Sequence, residues 1–140
     1  MTIREIQDEI IRLKKNTNTA VLVHSYQNRD IVEVADYVGD SYKLSVDAKN
    51  IDADNILLCG VHFMAETAKI LAPSKRVFLE NRLAGCPMAE QMDAELISRI
   101  KAEEPDRAVV AYVNTTAKLK AVCDVCVTSS SAVKIVKAME

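Results

Sequence analysis

The sequence predicts an α/β protein in which a parallel sheet lies between two layers of helices, a three-layer αβα arrangement. Short apolar runs alternate with segments of helical periodicity along the chain, and this alternation is typical of parallel sheets. Polar or reactive side chains follow several of the apolar runs, as they do at the carboxyl ends of parallel strands, where ligands bind. The 140 residues, of which 49% are apolar, are enough for one domain with its own core.

The first part of the chain is predicted to contain three strands and four helices. Thr2 and Glu5 form a capping box that starts the first helix. Asp30 is expected to cap a short helix that Gly39 closes, and Ser41 opens the next helix. The predicted elements are helix 3–15, strand 20–24, a helix over about 30–38, helix 41–48, strand 55–59, helix 62–71 with Phe63, Thr67, Ile70 and Leu71 inward, and strand 76–79.

The second part continues the same rhythm. Asp93 is predicted to cap a helix that ends before Pro105 and buries Leu96, Ile97 and Ile100. The remaining predicted elements are strand 108–113, a helix from Thr116, a short strand over 125–127 and a last helix over 130–138.

Features of the N-terminal part recur 88 residues later. The run from Val21 to Tyr26 is matched by the run from Val109 to Asn114, and Asp36 and Ser41 are matched by Asp124 and Ser129. The recurrence suggests an internal duplication. It predicts a first αβα unit over residues 1–106 and the first half of a second, incomplete unit over 107–140.

The charge pattern favours a small molecule as the ligand. The net charge is −2, and acidic and basic residues are interspersed without a basic block, which argues against nucleic acid as a partner. No stretch approaches the roughly 18 continuous apolar residues of a membrane helix, and the N-terminus reads as an amphipathic helix instead of a secretion signal. We therefore expect no membrane association and a cytoplasmic location.

The four cysteines are expected to be free thiols, and their surroundings differ. Cys59 ends an apolar run and is predicted to be a core residue. Cys123 and Cys126 form a C-x-x-C within an apolar run, where packing is favoured over a redox pair or a zinc site. Cys86 lies between Gly85 and Pro87 in a loop after a strand, which is the context of a ligand or a reactive thiol.

Polar side chains at the predicted strand ends are the candidate binding residues. Residues two apart on a strand share a face, so His24 is paired with Tyr26, and Tyr112 with Asn114. An imidazole and a phenol on one face suit carboxylate binding and proton transfer, and Ser41 and Ser129 add two helix N-termini for a diacid. His62 is predicted to lie on the surface, and Glu66 is an acid that could face the strand ends. With three glycines in the chain, nucleotide-binding glycine loops are absent.

Six ordered motifs together resemble the N-terminal half of the quinolinate synthase family. They are His24-Ser25-Tyr26-Gln27, Gly39-Asp40-Ser41, Gly60-Val61-His62-Phe63-Met64-Ala65-Glu66, Cys86-Pro87-Met88-Ala89, Tyr112-Val113-Asn114-Thr115-Thr116 and Val127-Thr128-Ser129-Ser130. The resemblance covers essentially the whole chain. It implies a fold of three similar αβα domains around a pseudo-threefold axis.

The resemblance also implies a reaction and its site residues. The family condenses iminoaspartate with dihydroxyacetone phosphate to quinolinate, a precursor of NAD, on a [4Fe–4S] cluster held by three cysteines. Cys86 matches the first of these ligands, and the 88-residue period places the second near position 174. By similarity, His24, Ser41, Tyr112, Val113, Asn114 and Ser129 hold the dicarboxylate substrate, and Tyr26 acts in catalysis. Ser25 and Ser131 stand where the family commonly has asparagine.

The leading interpretation is an N-terminal piece of this enzyme, or one chain of a split enzyme whose C-terminal partner chain supplies the missing ligands. Three alternatives stay open. The chain could be a non-catalytic α/β fragment or interaction module that holds no cluster. Several copies could associate and bring their Cys86 side chains together. A redox role for Cys123 and Cys126 is the least favoured reading.

Overall fold

Helices and strands alternate along the chain in the order that the sequence predicts, with one additional strand. The structure is a computed structural model and describes residues 1–139. The elements in these residues are α1 (Ile3–Asn16), β1 (Thr19–His24), α2 (Arg29–Val32), β2 (Tyr37–Gly39), α3 (Ser41–Asn50), β3 (Asn55–Cys59), α4 (His62–Leu71), β4 (Arg76–Leu79), α5 (Ala94–Glu103), β5 (Val110–Tyr112), α6 (Ala117–Lys120), β6 (Val125–Val127) and α7 (Ala132–Lys137). They divide into a first unit, Met1–Gly85, and a second unit, Cys86–Glu140.

The first unit contains a four-stranded parallel sheet in the order β2-β1-β3-β4. β1 is central, because it pairs with β2 on one side and with β3 on the other. Its last residue, His24, is aligned with Gly39, the last residue of β2. Since all four strands run in one direction, their carboxyl ends share one edge of the sheet, which we call the carboxyl edge. The predicted parallel α/β class is thus confirmed.

Apolar side chains cover both faces of this sheet. On one face, Val21, Val23 and Cys59 form a cluster against which α2 packs through Ile31 and Val32. Neighbouring strand residues point the other way, and among them Leu22, Ile56 and Leu58 are completely buried, as is Leu44 of α3. Helices α3 and α4 pack against each other, and they contact β1 and β4 respectively. The predicted burial of Cys59 is confirmed.

The predicted helix over about 30–38 is wrong beyond Val32. Asn28, not Asp30, caps α2, because the Asn28 Oδ1 accepts the Asp30 N–H at 3.0 Å. The chain then forms β2 at the edge of the sheet, and Gly39 ends that strand instead of closing a helix. Asp36 explains the change: its N–H donates to the Val21 carbonyl at 2.9 Å, and its carboxylate accepts the Val21 N–H at 2.8 Å. These bonds draw the chain alongside β1.

The second unit contains a two-stranded parallel sheet, β5-β6. The Asp93 carboxylate caps α5 by accepting the Glu95 N–H at 3.0 Å, and α5 ends before Pro105, as predicted. The Thr116 hydroxyl caps α6 by accepting the Leu119 N–H at 3.2 Å. Helix α7 begins at Ala132, slightly later than predicted.

Two predicted helix faces are less buried than expected. Phe63 and Thr67 of α4 are buried, but Ile70 and Leu71 are 51% and 39% exposed. On α5, Leu96 and Ile100 are 42% and 39% exposed, so their predicted burial is wrong. Within residues 86–139 there are only two short strands, β5 and β6, and they offer little apolar surface for α5 to cover.

The 88-residue recurrence extends to individual hydrogen bonds. The pairing of Leu22, Val23 and His24 with residues 37–39 recurs as the pairing of Val110, Ala111 and Tyr112 with residues 125–127. Asp124 exchanges two bonds with Val109, of 2.9 and 2.8 Å, as Asp36 does with Val21. Lys14 of α1 bonds the Asp36 carboxylate at 2.8 Å, and Lys101 of α5 bonds that of Asp124 at 2.7 Å. This supports an internal duplication and favours counting α5 with the repeated segment.

The predicted division between residues 106 and 107 stays a prediction about repeat units, and so does the pseudo-threefold arrangement.

Within residues 1–139, no helix is both long enough and apolar enough to cross a membrane.

Candidate functional site

His24 and Tyr26 lie together at the end of β1, as predicted. Their ring centroids are 4.7 Å apart, with an angle of 56° between the planes. The reason differs from the predicted one, because Tyr26 belongs to the turn after β1 and not to the strand itself. Tyr26 is 92% exposed, whereas His24 is half-buried.

The protonation of His24 is governed by burial and by one nearby carboxylate. Burial lowers the pKa of the imidazole, and the negative charge of Asp40 partly offsets this effect. The Tyr26 backbone N–H donates to the Nδ1 of His24 at 3.3 Å. We therefore assign the proton of the neutral ring to Nε2, which makes that nitrogen a hydrogen-bond donor.

Ser41 is the first residue of α3, but Asp40 caps the helix. The Asp40 Oδ1 accepts the Lys43 N–H at 2.8 Å. The N-terminus of α3 thus already carries an anion, which weakens it as a site for a second one. The same arrangement leaves the Ser41 hydroxyl out of capping, so Ser41 can offer it to a ligand.

Acidic side chains also lie at the carboxyl ends of β3 and β4. The Glu80 carboxylate accepts the Gly60 N–H at 3.3 Å. Together with burial, the charge of Glu80 raises the pKa of the Cys59 thiol to about 11, so Cys59 stays protonated. At the start of α4, His62 Nδ1 lies 3.7 Å from the Glu66 carboxylate, and the His62 side chain is 52% exposed, as predicted.

The loop after β4 returns to the start of α4. The His62 N–H donates to the Ala84 carbonyl at 2.8 Å, which places residue 84 at the carboxyl edge of the first unit. Cys86 follows two residues later in the chain and belongs to the second unit.

Cys86 begins a tight turn. Its carbonyl accepts the N–H groups of Ala89 and Glu90 at 2.9 and 3.1 Å, and its own N–H donates to the Glu90 carboxylate at 3.0 Å. The thiol-bearing residue is half-buried. The buried hydroxyl of Thr115 donates to the Ala89 carbonyl at 3.1 Å. The Cys86 turn is therefore fastened to the segment that directly follows β5.

Tyr112, Val113 and Asn114 form the end of β5 in the second unit. Tyr112 is 50% exposed, and Asn114 is half-buried. The Val113 N–H already donates to the Val127 carbonyl at 2.8 Å, and its carbonyl accepts the Thr115 N–H at 3.0 Å. A ligand would therefore contact Val113 through its side chain or the remaining lone pair of its carbonyl.

Ser129 lies in the exposed turn between β6 and α7. The predicted helix does not begin at this residue, because α7 starts at Ala132 and Ser131 is its N-cap residue. Helix α7 is short, with six residues. Thr128 closes the turn instead, since its N–H and hydroxyl both lie within hydrogen-bonding distance of the Ser131 hydroxyl, at 2.9 and 3.0 Å.

Cys123 and Cys126 are free and half-buried. Burial and the neighbouring Cys126 raise the pKa of the Cys123 thiol, which lowers its reactivity at neutral pH. This agrees with the reading of the pair as packing residues.

Within each unit the structure brings predicted site residues together. In the first unit His24 contacts Tyr26, and Ser41 lies two residues after Gly39, the strand partner of His24. In the second unit Thr115, which directly follows residues 112–114, is bonded to the Cys86 turn. Sequence reasoning missed the parts played by Asp40, Glu80 and Thr115. The signal for Asp40 was its position before a helix, where aspartate is a preferred cap.

Comparison with known proteins identifies the family. The profile of the family described as "NadA: Quinolinate synthetase A protein" matches residues 8–140. The chain is 48% identical over 137 residues to the quinolinate synthase of Clostridium acetobutylicum, and the match covers 98% of this chain and 45% of that protein. It is 51% identical over 133 residues to that of Alkaliphilus metalliredigens (95% and 44% covered) and 47% identical over 138 residues to that of Aquifex aeolicus (99% and 43%).

The chain thus spans somewhat less than half the length of these curated relatives. On the family match and on this level of identity, the chain belongs to the quinolinate synthetase A family.

Proposed function

We propose that this chain is the N-terminal portion of a quinolinate synthase, which condenses iminoaspartate with dihydroxyacetone phosphate to quinolinate for NAD synthesis. The proposal rests above all on one observation: the relatives named quinolinate synthase have about 50% sequence identity to the chain over nearly its full length. The position of polar groups at the strand ends of each unit is in keeping with it.

We propose that His24, Ser41, Tyr112, Val113, Asn114 and Ser129 hold the dicarboxylate substrate. The Nε2–H of His24, the hydroxyls of Ser41, Tyr112 and Ser129 and the amide of Asn114 are donors that suit carboxylate oxygens. Tyr26 is proposed as the acid–base residue, acting through its hydroxyl. Its exposure and its contact with the His24 ring support this proposal.

Cys86 is proposed to supply one thiolate to a [4Fe–4S] cluster. A half-buried thiol in a turn that Glu90 and Thr115 hold in place fits the role of a single ligand. Residues 1–139 contain no group of three or more metal-binding side chains, so the other two thiolates are proposed to come from the part of the family chain that follows these residues. Such a cluster, when bound, supplies a Lewis-acidic iron.

A cytoplasmic location is part of the same proposal. All four thiols are free, as is usual in a reducing compartment. The substrates are small molecules, and neither nucleic acid nor a membrane is expected as a partner.

A chimera tests the proposed function. These 140 residues replace the corresponding 45% of the Clostridium acetobutylicum enzyme, and the intact relative serves as the control. After anaerobic reconstitution we expect a full complement of iron and sulfide and the formation of quinolinate. The isolated chain should hold no stoichiometric cluster. A chimera that carries the cluster but forms no quinolinate would contradict the proposal, as would a Cys86→Ser chimera with an undiminished iron content.

A further inference from the structure

We propose that Asp40 is a positioning residue for His24, whose carboxylate keeps the imidazole able to exchange a proton with a bound acid. This role deepens the proposed function, because it rests on His24 as a ligand of the dicarboxylate. Asp40 itself is not proposed to touch the substrate.

The position of Asp40 follows from strand pairing. His24 is aligned with Gly39, and the Ser25 N–H donates to the Gly39 carbonyl at 3.0 Å. Asp40 comes directly after Gly39, so it emerges from the sheet beside the end of β1. Its carboxylate cannot swing freely, because Oδ1 holds the Lys43 N–H at 2.8 Å as the cap of α3. The negative charge is therefore kept near the imidazole.

Burial and the charge of Asp40 shift the pKa of His24 in opposite directions. Burial lowers the pKa, the Asp40 carboxylate raises it, and burial has the larger effect. Tyr26 contributes its ring at 4.7 Å and its backbone N–H, which favours the neutral ring with the proton on Nε2. Uptake of a second proton at Nδ1 replaces this N–H contact, which at 3.3 Å is longer than usual and so is lost at little cost. Asp40 thus opposes burial without forcing the ring to be charged.

The duplication provides an internal comparison. The position equivalent to His24, 88 residues later, is Tyr112, and the position equivalent to Asp40 is Thr128. The acid accompanies the strand that ends in an imidazole, whereas a neutral hydroxyl accompanies the strand that ends in a phenol. The turn after the strand therefore forms without an acid, and the charge of Asp40 is a separate feature. A carboxylate beside a phenol would only hinder its ionisation.

Histidine NMR on the 140-residue chain tests this inference. The chain contains two histidines, so His62→Gln assigns the His24 ring signals in a pH titration. Asp40→Asn removes the charge but keeps a side-chain oxygen for the Lys43 N–H, and asparagine is a good cap. Asp40→Thr, which copies the second repeat, is a further neutral variant. Asp47→Asn is the matched control. It removes another carboxylate of the same helix, the one that forms an ion pair with Lys43 at 2.6 Å.

We expect the His24 titration midpoint to move to lower pH in both Asp40 variants and to stay in place in Asp47→Asn. The His62 signals should titrate as in the parent chain, and circular dichroism confirms that each variant is folded. Coinciding His24 midpoints in the parent chain and in two folded Asp40 variants would overturn the inference.

The chimeric enzyme gives an independent reading. Asp40→Asn is expected to move the acidic limb of the pH profile of kcat/KM to lower pH, and Asp47→Asn to leave it unchanged. An unmoved limb in Asp40→Asn would count against the role in catalysis. If the chimera forms no quinolinate at all, the proposed function fails, while the NMR titration still decides whether Asp40 acts on His24.

Discussion

Tyr26 combines strong exposure with a defined ring contact. At 92% exposed, its phenol is open to solvent, yet its ring contacts His24 at 4.7 Å. An exposed phenol beside an imidazole offers two groups that can hold a carboxylate and transfer a proton. The contact of the two rings is therefore in keeping with the proposed substrate site.

Replacing Tyr26 with phenylalanine in the chimera is expected to lower kcat by about 10²–10⁴-fold, because the hydroxyl proposed for proton transfer is lost while the ring is kept. The iron and sulfide content should be unchanged. Tyr37→Phe is the matched control, because Tyr37 begins β2, opposite Leu22 and away from the carboxyl edge. Equal turnover of Tyr26→Phe and Tyr37→Phe would refute the catalytic role.

The partnership of His24 and Tyr26 could be predicted because both follow one apolar run. The part played by Asp40 could not, since it depends on β2. That strand has three residues, too few to display the alternation of period two that marks a strand. Its exposed Tyr37 and Val38 suited a surface helix equally well.

At the scale of elements, two aspartates 88 residues apart join strands to helices in the two parts of the chain. Asp36 joins β1 to the start of β2 and accepts a bond from Lys14 of α1. Asp124 does the same for β5, β6 and α5. The Lys101 side chain and the Val109 N–H both lower the pKa of Asp124. The sequence match of these two aspartates was visible, but their bonds to strand and helix were not.

Asp36→Ala is expected to lower the free energy of unfolding by roughly 1.5–3 kcal/mol, the usual value of hydrogen bonds to a charged group. The loss leaves the Val21 N–H without its partner and leaves the Lys14 amine with only the Val34 carbonyl, at 2.8 Å; the Lys14 side chain is only 14% exposed. Urea denaturation of the 140-residue chain measures the change. Asp52→Ala, an exposed position, should stay within about 0.5 kcal/mol of the parent. Equal free energies of unfolding for the two variants would show that the bonds of Asp36 do not stabilise the fold.

The periods of α1, α4 and α5 were predicted closely, because these helices are long enough to show them. The caps Thr2 and Asp93 were also predicted, whereas the caps of α2 and α3 were not. Burial was predicted less well. Apolar residues at helical spacing in α5 suggested a buried face, but burial depends on how much sheet lies opposite, and the described part of the second unit has two short strands. The extent of the sheet opposite α5 cannot be read from the sequence of the helix.

At the scale of the whole molecule, the second unit has apolar side chains that are not covered. Val133 and Val136 of α7 are 68% and 44% exposed. Uncovered apolar groups of this kind promote association.

Replacing Val133 and Val136 with serine is expected to reduce self-association and the binding of a hydrophobic dye, with little loss of stability because neither side chain is buried. Sedimentation velocity and dye fluorescence on the 140-residue chain measure both effects. Lys134→Ser, on the same helix, is the control. A double variant that associates as strongly as the parent would rule out α7 as the surface responsible for self-association.

The bonds of Asp36 and Asp124 have a bearing on how the chain is made. Each carboxylate bonds a residue 15 positions earlier, in β1 or directly before β5, and a helix lysine 22 or 23 positions earlier. Contacts this close in sequence form fast, and chains fold from the N-terminus during synthesis. Each helix–strand–helix–strand segment can accordingly assemble on the ribosome soon after its aspartate has left the exit tunnel, before the rest of the protein has been translated.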